Sequence, residues 1–202
     1  MLLLQELLSE SDESLHTITT FSDKDGNMLV GVSGDVVLQS HTPTGIGNPL
    51  VILGRGGDRK LLDHAAKLLK EFKYEGYANF DVMDGEDGQP RFLEVNTRPG
   101  RNTYYFSLAG CPFVKPFIEY YINGDKTLSG LTEEERKAGN HFLFSMVSRQ
   151  TALSWAHGEN AAEIREHFES GNWGNPLFCD EDSFWQKRSA RQYIARTEKS
   201  FI

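Results

Sequence analysis

Cysteine is nearly absent: Cys111 and Cys179 are the two in 202 residues. Two such isolated thiols make neither a metal-ligand spacing nor a disulfide framework, and a reducing cytoplasm is their simplest setting. Long apolar runs are also missing. Met1 to Leu4 is apolar, but Glu6 follows almost at once. That opening is too short and too acidic for a signal peptide, and no later run approaches a membrane span. The six histidines include no HExxH pair, which argues against a histidine zinc site. Basic charge is scarce: 21 Lys and Arg stand against 29 Asp and Glu, a net of −8. Such a balance does not suit nucleic acid, which needs a basic footprint, although a few focused cations still permit nucleotide binding. No internal repeat or low-complexity tract occurs. With 39% hydrophobic and 25% charged residues, the chain reads as a soluble globular protein long enough for one substantial core.

What is present begins as strands and turns. Leu2 to Leu8 is an apolar strand candidate, and His16 to Phe21 is β-branched and threonine-rich. Asp23 to Asn27 is a turn, followed by strand candidates at Met28 to Val32 and Asp35 to Gln39, then a loop from Pro43 to Pro49. Asp58 suits an N-cap. Leu61, Leu62, Ala65, Leu68, Leu69 and Phe72 then recur with helical spacing. Tyr77 to Met83 and Arg91 to Val95 read as strands around an Asp84–Gly88 turn. A loop spans Asn96 to Thr103, and Phe113 to Ile122 reads as a helix stopped at Asn123-Gly124. Thr132 opens a charged helix with capping-box spacing, His141 to Val147 reads as a strand, and Ala161 to Glu169 as a helix. The end from Trp185 is basic and aromatic. The chain divides into residues 1–125 and a C-terminal extension, 126–202.

The chemistry concentrates in Gly76-Tyr77-Ala78-Asn79-Phe80-Asp81 and Phe92-Leu93-Glu94-Val95-Asn96-Thr97-Arg98. If the two strands form an antiparallel hairpin, side-chain alternation puts Glu94 and Asn96 on one face, and the turn brings Asp81 close to them. Two carboxylates and an amide oxygen are hard donors suited to Mg²⁺, which completes its shell with phosphate and water. Carboxylates between Phe80, Val82, Leu93 and Val95 are unusual if their only role is solvation. Gly54-Arg55-Gly56-Gly57 lacks a GK[ST] ending and has no clear preceding strand, so it reads as a flexible loop, with Arg55 a candidate for the substrate side.

Asp81 followed by Glu94-x-Asn96 resembles the metal hairpin of the ATP-grasp superfamily. The resemblance implies that Asp81, Glu94 and Asn96 hold Mg²⁺ (or Mn²⁺) bridging ATP phosphates. It implies that Arg98, with Arg101 as a second candidate, contacts phosphate or an acyl phosphate. Leu4 to Leu8 resembles the family's hinge strand. There the backbone of Glu6 and Leu8 would meet adenine beside Gln5, Leu93 would pack beneath it, and Asp12, Glu10 or Glu13 would reach the ribose. Asn140 to Ser145, Gly171 to Leu177 and Ser189 to Tyr193 resemble the tails of Gram-positive carboxylate–amine ligases, a group that includes D-aspartate ligases.

The implied fold is α+β: an ATP-grasp C-terminal lobe with a mainly antiparallel sheet, helices on one side and a helical extension. The implied activity of the complete protein is ATP- and Mg-dependent amide formation through an acyl phosphate. The family's glycine-rich flap and two lysines have no counterpart in this sequence. The chain therefore reads as half of a nucleotide cleft, its partners being the absent N-terminal lobe and small-molecule carboxylate and amine substrates, and as inactive alone. The alternatives are a non-catalytic nucleotide- or partner-binding remnant and a purely structural domain.

Overall fold

The computed structural model describes residue 8 and residues 14–43, 45–179 and 181–201. Strand β1 (Leu15–Ser22) and strand β2 (Met28–Gln39) are joined by a tight turn. In it the Asp23 carboxylate accepts from the backbone N–H groups of Asp25 and Asn27, at 2.9 and 2.8 Å. The expected break between Val32 and Asp35 is absent, because β2 runs straight through it. Gly34 serves close approach rather than a turn: a Cβ there would lie 2.5 Å from Ile52 Cγ2.

Strand β3 (Pro49–Arg55) precedes helix α1 (Arg59–Phe72), where Asp58 caps as expected by accepting from the backbone N–H groups of Lys60 and Leu61. Strands β4 (Gly76–Asp84) and β5 (Pro90–Asn96) form the anticipated antiparallel hairpin. Helix α2 (Tyr104–Leu108) follows. The single helix expected from Phe113 is instead a short α3 (Lys115–Phe117) running into a π-helical turn, Ile118–Ile122. Pro116 lies in its first turn, where a missing N–H costs nothing, so the helix starts there. Then come α4 (Glu133–Lys137) with its Thr132/Glu135 capping box, β6 (His141–Ser145), α5 (Arg149–Trp155), α6 (Gly158–Ser170), β7 (Trp173–Gly174) and α7 (Phe184–Glu198).

The strands form one sheet in the order β5-β4-β1-β2-β3-β6-β7, antiparallel except for the parallel pair β6–β7. Because β6 pairs with β3, residues on both sides of position 125 share this sheet. Helices cover both faces rather than one. On the first face, Ile18, Ala78, Phe80 and Val82 pack against Leu61, Ala65 and Leu69 of α1. On the second, Phe21, Val30, Val32 and Ile52 pack against Tyr105 and Phe106 of α2 and Tyr120. The cause is strand alternation: apolar residues at both parities need cover on both sides. Among the described residues, no helix is long and apolar enough to cross a membrane.

The α1 face also carries a charged network. His16 Nδ1 lies 2.8 Å from Asp35 Oδ1, and its Nε2 lies 3.2 Å from Asp84 Oδ2. Asp35 also takes Arg55, whose other donors reach Glu163 and Asn160. Arg55, a candidate for the substrate side on sequence, is thereby held on the sheet face opposite Asp81. Burial alone would lower the His16 pKa, but the bonds to Asp35 and Asp84 and their charges outweigh it, and the pKa is raised. Donating to two carboxylates requires both ring nitrogens protonated. A folded pKa above the unfolded value of about 6.5 gives stability that is complete below that pH. It is lost as pH rises through the folded value. Urea unfolding of wild type over this range should show that decline, and His16→Gln should flatten it; an equal slope in both would remove His16 as its source.

Candidate functional site

The hairpin arises because Phe80 and Val82 must face α1, which turns the intervening Asn79 and Asp81 to the opposite face. In register, Asn79 stands across from Asn96 and Asp81 across from Glu94. A bulge between Asp81 and Val82 puts Leu93 out of register and lets Phe92 rejoin the α1 core while Glu94 keeps the Asp81 face. The three expected metal ligands therefore converge. Burial, and after it the charge of Glu94, push the Asp81 carboxyl above the usual carboxylate value, while Arg98 pulls it down.

These residues line a cleft of ≈ 880 Å³. Arg98 and Arg101 also line it. Leu93 does not: it is 37% exposed and lies outside the lining. Gln5, Glu6 and Asp12, with Glu10 and Glu13, fall outside the described residues, and Leu8 is half-buried without regular structure. The glycine-rich segment at the end of β3 leads into a helix whose Lys60 and Leu61 N–H groups are taken by Asp58. Its lack of a preceding strand is corrected by β3 itself: the apolar run Leu50-Val51-Ile52-Leu53 between Pro49 and Gly54 carries the signal of a buried strand.

Beneath the cleft lies a buried polar chain that sequence reasoning missed. Tyr105 donates to Thr19 Oγ1 at 2.7 Å, and Thr19 donates to Asn79 Oδ1 at 2.8 Å. Asn102 donates to Thr17 at 3.3 Å alongside. Alternation from Asp81 would have found Asn79; the others come from tertiary packing. Also unforeseen is the far wall, made by the 40–49 loop and by Tyr193, Arg196 and Thr197 of α7.

The donor set tests which cation fits. Among the described residues, no three or more His, Cys, Asp or Glu side chains gather to hold a metal. Two carboxylates with neighbouring amides on one open face suit Mg²⁺, which is bound by few protein ligands and keeps positions for phosphate and water. Burial first, and the charge of Glu94 second, keep the Asp81 carboxyl raised despite Arg98, and a bound divalent ion would offset both.

An α+β fold with paired-strand carboxylates facing an arginine-lined cleft is the arrangement that the resemblance to the ATP-grasp superfamily implied. Over 99% of its length the chain is 25% identical to the D-aspartate ligase of Enterococcus faecium (strain Aus0004), and it spans 49% of that protein. No protein-family model matches it. Among solved structures, biotin carboxylase from Campylobacter jejuni is 19% identical over 64% of this chain and 28% of that one, with a TM-score of 0.44. The L-amino acid ligase from Bacillus licheniformis is 15% identical over 63% of this chain and 32% of that one, with a TM-score of 0.36.

Proposed function

We propose that this chain forms the metal- and phosphate-binding half of an ATP-dependent carboxylate–amine ligase. The observation that carries this reading is the register pair Asp81–Glu94, with Asn96 beside it and Arg98 opening into the same cleft. The likeness to D-aspartate ligase makes D-aspartate the first acid to test. No lysine is among the described residues lining the cleft. The lysine-bearing lobe that covers the nucleotide is therefore proposed as the partner, with Gln5, Glu6 and Leu8 against adenine and Asp12 at the ribose.

Magnesium, when bound, would neutralise charge on the phosphoryl oxygens. The chain's own residues do the positioning. Asp81, Glu94 and Asn96 fix where the phosphates sit. A substrate carboxylate oxygen attacks the γ-phosphorus, the bond to the bridging oxygen breaks, and ADP leaves. Arg98 and Arg101 hold the negative charge of the acyl phosphate. The amine then attacks the acyl carbon, phosphate departs, and the ammonium proton is lost to solvent. No covalent nucleophile is required, so catalysis is orientation and electrostatics.

The test is trapping. Full-length protein with Mg-ATP, D-aspartate and hydroxylamine should give a hydroxamate and equimolar ADP. A panel of D- and L-amino acids yielding neither would reject the ligase reading and favour a nucleotide-binding role.

A further inference from the structure

The cleft is longer than its metal end requires. It begins at β5 and β4 and reaches the start of β3, where Pro49 and Leu50 line it. Four inter-strand steps separate β5 from β3, and at ~4.8 Å each the cleft crosses about 19 Å of sheet. Phosphates held through a metal at Asp81 and Glu94 would occupy one end. The other end is walled by the 40–49 loop and by α7.

The charge there is unexpected. Among the described residues lining the cleft, three arginines (Arg98, Arg101 and Arg196) face two carboxylates, in a chain whose net charge is −8. None of the described ion pairs uses these three, whereas Arg55, Arg91 and Arg149 are all paired. Unpaired guanidinium groups in a concave site are poised for an oxyanion. Arg98 and Arg101 follow directly from the metal hairpin. Arg196 comes from the C-terminal helix and is the cation of the far wall.

That wall is held in place. Glu198, two residues on, accepts from the Ser148 backbone N–H at 2.7 Å and the Thr151 hydroxyl at 2.9 Å. Phe201 packs edge-on to His41 with ring centroids 5.0 Å apart, and its ring lies tilted 5.5 Å from Trp155, tying the end of the chain to the 40–49 loop. The exposed Tyr193 ring and the Ile46 side chain, 75% exposed, line the same cleft as Arg196. A cation beside apolar surface on an anchored frame matches a small organic anion better than a hydrated ion.

We propose that Arg196 and Tyr193 of α7 form the substrate-reading arm of the cleft. They hold a carboxylate of the non-nucleotide acid, remote from the carboxylate being activated at Arg98. This inference rests on the ligase reading and adds the residues that read the second anionic group of the acid.

The experiment uses full-length protein and the hydroxylamine trap with D- and L-aspartate, D- and L-glutamate, and D- and L-alanine as acids. Wild type should prefer an acidic amino acid. With the best acid, Arg196→Ala should raise its KM about ten-fold or more, the effect of losing a charge-assisted hydrogen bond. The KM for ATP should stay unchanged, and Arg196→Lys should recover part of the loss. Arg191→Ala, on the same helix but outside the cleft lining, is the control and should behave as wild type. An unaltered acid KM in Arg196→Ala, an equal rise in both KM values, or a preference for alanine would each overturn the assignment. Absence of hydroxamate from wild type with every acid would instead sink the ligase reading, and this inference with it.

Discussion

Replacing Glu94 with alanine is expected to abolish magnesium-dependent nucleotide binding while leaving the fold intact. Glu94 lies on the edge strand β5, is exposed, and faces the cleft rather than either core. Truncating such a side chain normally changes stability by no more than about 0.5 kcal/mol. Its loss also removes the second-largest cause of the raised Asp81 pKa, the like charge opposite it. The ligand-free variant should therefore melt no lower than wild type. The ligand response should differ sharply. A ligand at 100 times its dissociation constant stabilises the folded state by about 2.7 kcal/mol. Full-length wild type should show a shift of that order with Mg-ATP, and Glu94→Ala should show none. Glu94→Gln separates charge from shape: it keeps an oxygen donor but leaves one carboxylate to offset a divalent cation, so most of the shift should still vanish. A Glu94→Ala protein that retains the full Mg-ATP shift would remove the metal from this hairpin.

That prediction could be framed from sequence because the hairpin's information is local. Asp81 and Glu94 sit on adjacent strands joined by a short turn, and period-two alternation decides which side chains share a face. The β1–β2 turn and the Asp58 cap were legible for the same reason. Strand β3 is harder to see, because its short apolar run leads directly into a glycine-rich tail. The gap expected between Val32 and Asp35 is bridged because the small size of Gly34 serves contact with Ile52. The far wall of the cleft was out of reach for a different reason. Tyr193 and Arg196 are 99 and 102 residues from Glu94 in sequence, and the docking of α7 through Glu198 brings them to the site. Helical spacing says which face of α7 is apolar, but not which cleft its polar face borders.

The largest stability effect near the site is expected from Thr19→Val. Thr19 is fully buried, and valine matches its shape, so packing changes little. What changes is the hydroxyl. It accepts from Tyr105 and donates to Asn79, and burial pushes the Tyr105 phenol so far up that it remains a neutral donor. Valine strands both partners, Tyr105 fully buried and Asn79 nearly so, at about 1–3 kcal/mol each. Thr19→Val should therefore lose about 2–5 kcal/mol in urea unfolding. Tyr105→Phe removes one end of the chain but leaves the Thr19–Asn79 bond, and should lose only about 1 kcal/mol. The double variant is the decisive case. With the phenol gone, Thr19→Val strands Asn79 alone, so the two losses should fall short of adding by about 1 kcal/mol or more. Strict additivity would mean that Tyr105, Thr19 and Asn79 do not act as one chain. The floor under Asp81 would then owe its order to packing instead. If they do act together, Asn79 should lose its orientation across from Asn96, and Thr19→Val should weaken Mg-ATP binding even in the fraction that remains folded.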